Sequence, residues 1–264
     1  MQNENNQPIT RELIGTNLLE RYTGSSVLQF QKYIILTNFA AYLELFAELT
    51  NTRVHHGSAM SVCHDDRTNI SIINYGVGSP VAALVVDLLS FVNPKATINL
   101  GMCGGLRDEF NIGDYFNPVA AIREEGTSMA YMPPRCPSLS SFVIQRYVCE
   151  ELERNNIIYH NGVIHTTNVR FWEFNEEFKR SLVEEKVQAI DMECATLFTV
   201  GFACKVPVGA LMLITDLPLK LSGIKTKISS ENVFKKYSES HVKIAINVLR
   251  NMQAKEGEGL GYKF

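Results

Sequence analysis

The strongest constraint on the fold is a strand that runs through a glycine turn straight into a helix. Ile70-Ser-Ile-Ile-Asn-Tyr75 is a buried-strand pattern, Gly76-Val-Gly78-Ser-Pro80 follows, and helical apolar spacing continues from Val81 to Phe91. Proline fits the first turn of a helix, because its missing N–H has no partner there. The theme recurs. Lys32 to Thr37 reads as a strand leading to a helix at Ala40 to Leu49, and Thr97 to Leu100 as a short strand closed by a turn, Gly101-Met-Cys-Gly104-Gly105. Further strands are predicted at Asp114 to Ile122, Ile157 to Thr166 and Val208 to Ile214. Helices are predicted at Arg11 to Arg21, Ser140 to Asn155, Trp172 to Glu185, Cys194 to Cys204 and Ser229 to Met252. Alternation of this kind predicts an α/β fold: a single domain of three layers, with a central mixed, mainly parallel sheet flanked by helices. The domain is expected over residues 11–252, with flexible tails at 1–10 and 253–264. Ligands in such sheets sit at the carboxyl ends of the strands.

Bulk properties remove several classes. A chain of 264 residues with a net charge of −3 has no global field for nucleic acid, so an anionic ligand would need a local Arg or Lys cluster. The polar start Met1-Gln-Asn-Glu-Asn-Asn-Gln-Pro8 is not a signal peptide, and no apolar run is long enough to span a bilayer. The cysteines, at 63, 103, 136, 149, 194 and 204, form no C-x-x-C pair, which predicts reduced thiols in a cytoplasmic protein. The histidines lack metal spacing, and His55-His56 is expected in a loop or at the surface. No metal or cofactor is expected. Gly76-x-Gly78 lacks the third glycine of a dinucleotide fingerprint. Its glycines are explained equally by a turn needing positive φ or by close approach of backbone N–H groups to a substrate.

Two segments carry the chemistry. Ala189-Ile-Asp-Met-Glu193-Cys-Ala-Thr196 places Asp191 and Glu193 where an extended segment enters a helix. Leu211-Met-Leu-Ile-Thr215-Asp216 ends a buried strand on a carboxylate. Buried carboxylates are costly unless paired or used. On spacing alone, Asp216 reads as a helix N-cap or a buried ion pair, Met192 as core filling as readily as a ligand contact, and Asp191 as a cap or salt bridge. Met132-Pro-Pro-Arg-Cys-Pro137 reads as a lid or a subunit contact.

These segments resemble the ribose-gripping and base-protonating segments of the purine nucleoside phosphorylase/uridine phosphorylase superfamily. The glycine turn at 101–105 resembles the superfamily's phosphate turn, with departures. The phosphorylases' Arg position is Asn99 here, their hydroxyl position is Met102, and their first-strand loop is replaced by Thr37-Asn38-Phe39-Ala40-Ala41. Neither Asn99 nor Met102 can replace a guanidinium or a phosphate-facing hydroxyl, so hydrolysis is expected rather than phosphorolysis. Leu19-Glu-Arg-Tyr-Thr-Gly24, Ile35-Leu-Thr-Asn-Phe39, Gly101-x-Cys-Gly-Gly-Leu-Arg107, Ile112-Gly-Asp-Tyr115, Val169-Arg-Phe-Trp-Glu173 and Asp216-x-Pro-Leu219 together resemble the AMP nucleosidase branch, from about residue 11 to about 250. That branch carries His where this chain has Met102. The chain is expected to be a catalytic-domain-only form of the branch.

The resemblance implies hydrolysis of AMP to adenine and ribose 5-phosphate. Asp216 would be the acid on the leaving base, favoured in that role by burial that raises its pKa. Glu193 would stabilise the oxocarbenium-like ribose. It also implies Met192 on the sugar face, Arg170 and Trp172 at the base, Gly78 and Met102 at the substrate, and Asn38 orienting the water. Arg21 and Tyr22 would reach the 5′-phosphate from a neighbouring subunit, with Lys225 and Lys227 as second candidates. A shared site implies a homo-oligomer, a hexamer built as a trimer of dimers. Two other readings stay open: a nucleosidase or phosphorylase acting on unphosphorylated nucleosides, and a non-catalytic nucleotide sensor.

Overall fold

Strand β1 (Tyr33–Thr37), wholly buried and rich in β-branched and aromatic side chains, lies between β4 (Ile70–Asn74) and β5 (Ala96–Gly105), parallel to both. The computed structural model of the chain describes residues 9–220, 223–224 and 227–255. Of the expected tails, 1–10 and 253–264, residues 1–8 and 256–264 lie outside the described residues, as does Lys225. Thr10 already caps α1 (Arg11–Thr23) by accepting the Leu13 N–H, and the last helix continues to Ala254. Beyond β4 the sheet continues antiparallel through β3 (Ser61–Asp65) to β2 (Val54–His56). His55-His56 therefore lies on an edge strand, at the surface but not in a loop.

On the other side of β5 the strands close on themselves. β5 pairs with β9 (Ala189–Asp191), β9 with β8 (Tyr159–Thr166), β8 with β6 (Tyr115–Arg123), β6 with β10 (Val208–Asp216), and β10 returns to β5. A short β7 (Ser138–Leu139) pairs with β6. The sheet is mixed, and closure leaves the ring strands without open edges. Gly104 of β5 is in register with Ile190 on one side and with Asp216 on the other.

Alternation along the strands makes the layers. Ile34, Leu36, Ala210, Met212 and Ile214 face α1, α3 (Ser79–Leu89) and α6 (Cys194–Cys204). Tyr33, Ile35, Leu211 and Leu213 face α2 (Ala40–Thr50), α4 (Phe142–Arg154) and α7 (Lys227–Ala254). The expected single α/β domain, with helices on both sides of a mixed sheet, is the one observed. No described helix is long and apolar enough to cross a membrane.

Two local expectations change. Gly101 to Gly105 forms no turn; it is the second half of β5. These glycines have no positive φ. A Cβ at Gly101 would lie 2.6 Å from Met212 Cε, and one at Gly104 would lie 2.9 Å from Pro218 Cγ. Missing side chains let the neighbouring strand and loop close over β5. Gly76 and Gly78, by contrast, have φ of 88° and 102°, as a turn needing glycine requires. The helix predicted at 172–185 is split at Asn175, whose extended backbone and side-chain oxygen cap α5 (Glu176–Glu184) through the Glu177 and Phe178 N–H groups. Only a single helical turn, Trp172–Phe174, precedes it.

Candidate active site

Asp191, the last residue of β9, and Glu193, the N-cap position of α6, both border one cavity and do different things. The Asp191 carboxylate is held by protein donors. Its Oδ1 accepts the Thr166 hydroxyl at 2.6 Å, and its Oδ2 accepts the N–H groups of Glu193 and Cys194 at 3.1 and 2.7 Å. It satisfies the free donors at the start of α6, where the helix dipole also favours an anion. The expected cap is thus present.

Glu193 is also buried, and it faces the cavity. Its Oε1 accepts the Gly78 N–H at 2.7 Å, and the Asn38 side chain donates to the same carboxylate. Burial, then the charge of Asp191, pushes its pKa up to about 8, against the pull of those two hydrogen bonds and of one from the Met192 backbone. Asp191 is raised as well, first by burial. Ser79 Oγ donates to the Met192 carbonyl at 2.7 Å, so the start of α3 holds the backbone between the two acids.

Asp216 ends β10 just after the register shift opposite Gly104, 8% exposed. The Thr215 hydroxyl donates to its Oδ1 at 2.7 Å. Glu193 and Asp216 border one cavity of about 220 Å³. Its floor is Met102, Cys103 and Gly104 of β5. One wall is Asn38 and Phe39, after β1. Another is Val169, Arg170, Trp172 and Glu173, after β8. Asn38 Oδ1 is buried and meets no hydrogen-bond donor among the described residues. Arg170 donates to Glu173 Oε1 at 2.6 Å. Trp172 serves both readings, since it packs against Leu106, Leu182 and Ile190 and also borders the cavity.

The cavity therefore gathers Asn38, Met102, Arg170, Trp172, Met192, Glu193 and Asp216 from the sequence-predicted set. Gly78 touches Glu193 through its N–H, while its neighbour Val77 lines the cavity. Arg21 and Tyr22 are elsewhere in this chain. Their carbonyls accept the N–H groups of Ser58 and Met60, and the exposed Arg21 guanidinium lies 5.1 Å from the Tyr22 ring centre. Lys225 is outside the described residues, as is the Lys227 side chain. Asn99 does not line the cavity. It is buried beneath it, accepting the Tyr75 hydroxyl at 3.2 Å. The loop 132–137 is no lid over this cavity. Its Met132, Pro133 and Cys136 carbonyls accept the Arg123 guanidinium, and it borders a separate apolar cavity with Phe142, Phe198 and Phe202.

Sequence reasoning gave no role to Phe39, Val77, Thr215 or Glu173. Glu173 carried one legible signal, its i, i+3 spacing from Arg170.

The profile of the Phosphorylase superfamily matches residues 32–250. The crystal structure of AMP nucleosidase from Bacteroides thetaiotaomicron VPI-5482 superposes with a TM-score of 0.84 at 38% identity, covering 94% of this chain and 100% of that one. AMP nucleosidase of Escherichia coli K12 is 26% identical over 92% of this chain, and the chain spans 59% of that relative's length. Uridine phosphorylase from Vibrio fischeri ES114 shares the fold, with a TM-score of 0.76 at 20% identity over 85% of this chain and 94% of that one.

Proposed function

This chain belongs to the phosphorylase superfamily, and on that premise we propose that it hydrolyses the N-glycosidic bond of AMP to adenine and ribose 5-phosphate. The observation that carries the reading is that Glu193, three residues beyond the Gly104 partner Ile190, and Asp216, in register with Gly104 on its other side, border one cavity. Leaving-group departure builds negative charge on the base and positive charge on C1′ and the ring oxygen. An acid at one end and a carboxylate at the other meet both. Asp216 gives its proton to N7 of adenine. Glu193 accepts the ribose hydroxyls and stabilises the cationic sugar. Water adds its oxygen to C1′, and the proton it sheds restores the acid. Asn38 Oδ1, buried and without a donor, suits a water held at the cavity wall. Met192 packs on the sugar, and Arg170 and Trp172 flank the base.

Water is favoured over phosphate as the nucleophile by Asn99 and Met102. Asn99 is engaged with Tyr75, Met102 is apolar, and Arg170, the only cation among the described lining residues, is bonded to Glu173. Arg21 and Tyr22 would hold the 5′-phosphate of a neighbouring copy in a homo-oligomer, a hexamer arranged as a trimer of dimers, with Lys225 as a further candidate. The catalytic unit would span residues 11–252.

The test is chromatography of adenine released from AMP and from adenosine, each with and without inorganic phosphate. Release from AMP that is independent of phosphate is expected. Release from adenosine that requires phosphate would overturn the hydrolytic reading. Equal, phosphate-independent release from both would remove the 5′-phosphate from the specificity.

A further inference from the structure

Glu173 is 4% exposed, and only one of its carboxylate oxygens has a partner among the described residues. Oε1 accepts Arg170 Nη1 at 2.6 Å, a bond that shapes the turn after β8. Oε2 is buried and meets no donor among the described residues. Leaving a buried acceptor unpaired costs on the order of 1–3 kcal/mol, more for a charged one, and native proteins leave few such atoms. The structural role of Glu173 is complete with Oε1. Its second oxygen asks for a donor, and the residue borders the cavity shared by Glu193 and Asp216.

We infer that Glu173 Oε2 accepts the exocyclic amino group of the purine base and thereby sets the specificity of the site. The inference rests on the AMP reading above. Adenine, as it stands in AMP, has ring nitrogens that only accept, and the 6-amino group carries its only N–H donors. A carboxylate on the base wall has that one group to meet. A 6-oxo purine sets a carbonyl oxygen there, facing another acceptor. A purine with no 6-substituent leaves Oε2 unpaired, and a site built for a hydrogen bond discriminates against such an analogue.

The experiment compares kcat/KM for AMP and for purine riboside 5′-monophosphate, which lacks the amino group, in the wild type, Glu173→Ala and Glu173→Gln. The wild type is expected to favour AMP by about 10- to 100-fold. Glu173→Ala should lower the AMP value by a similar factor, and the value for the unsubstituted analogue by less than about threefold, so the preference collapses. Glu173→Gln can keep the bond to Arg170 and turn an N–H towards the base, so it should shift selectivity from AMP towards the 6-oxo nucleotide IMP. If Glu173→Ala fails to fold, Glu173→Gln carries the comparison. Equal losses on all substrates would overturn the inference and leave Glu173 with loop shaping alone, the AMP reading standing. A wild type that releases no base from AMP would overturn both.

Discussion

The backbone N–H of Gly78 donates to Glu193 Oε1 at 2.7 Å, joining the turn after β4 to the start of α6 across 115 residues of chain. The bond explains why position 78 is glycine: its φ of 102° aims the amide where a side-chain-bearing residue would be strained. Glu193 thus depends on the backbone donors of Gly78 and Met192 and on Asn38, too little to hold its pKa in the ordinary carboxylate range.

That balance sets a pH dependence. In the free enzyme Glu193 holds its proton up to about pH 8. The anion is the form that stabilises a cationic sugar, so kcat/KM for AMP should rise through that pH and level above it. A profile flat from pH 6 to 9 would remove Glu193 from the charge-stabilising role.

Asp191 supplies part of the upward push on Glu193. Asp191→Asn removes the charge and keeps an oxygen for the α6 donors. The rising limb of the profile should move to lower pH, by about one unit. An unmoved limb would mean that burial alone sets the Glu193 proton.

Stability should move the opposite way from activity. Unfolded Glu193 loses its proton near 4.5, and folded Glu193 near 8. Between those values the unfolded chain releases a proton that the folded chain keeps, so stability falls as pH rises and stays lowered above 8. Glu193→Gln escapes this loss. Its advantage over wild type should be absent below pH 4 and grow steadily up to pH 8, seen as a Tm gap that widens with pH. A variant less stable than wild type at pH 8 would show that the Gly78 and Asn38 bonds outweigh the burial of the charge.

Asp216→Asn should slow adenine release by about 10²- to 10⁴-fold while AMP still binds. Calorimetric binding alongside turnover checks this. Unchanged turnover would remove Asp216 as the acid.

Arg21→Ala should weaken AMP binding and leave adenosine binding nearly unchanged, because the loss is confined to the 5′-phosphate. Equal weakening of both ligands would disprove the clamp.

Helices and buried strands were legible because their periodicity is local. Cys194–Cys204 has the predicted limits, and β1 begins one residue late. The glycines of β5 misled because a glycine that relieves crowding looks in sequence like one that turns the chain. What separates the two is Met212 and Pro218, more than a hundred residues away. Asn175 interrupts the helix predicted at 172–185 through its own cap, a short-range signal that the apolar spacing of Trp172, Phe178 and Leu182 outweighed. The different roles of Asp191 and Glu193 were not legible from alternation, which puts residues i and i+2 of a strand on one face; the chain leaves β9 at Asp191, and Glu193 is already the N-cap position of α6. Nor was the unpaired oxygen of Glu173, since a missing partner is a property of the whole surroundings.

Gly104 has Ile190, the residue before Asp191, on one side and Asp216 on the other. The two strands that lead into the proposed reaction centre, β9 towards Glu193 and β10 to Asp216, thus lie one strand spacing to either side of a shared glycine, about 10 Å from Ile190 to Asp216. Only the short bend from Asp191 to Glu193 separates that frame from the second carboxylate. The segments after β1 and β8, which in the proposed reading would face the base and the incoming water, can lengthen, shorten or change residues without altering the strand frame. In such a scaffold the kind of bond broken is inherited with the sheet, while the choice of molecule is written in the loops, and the two can evolve at different speeds.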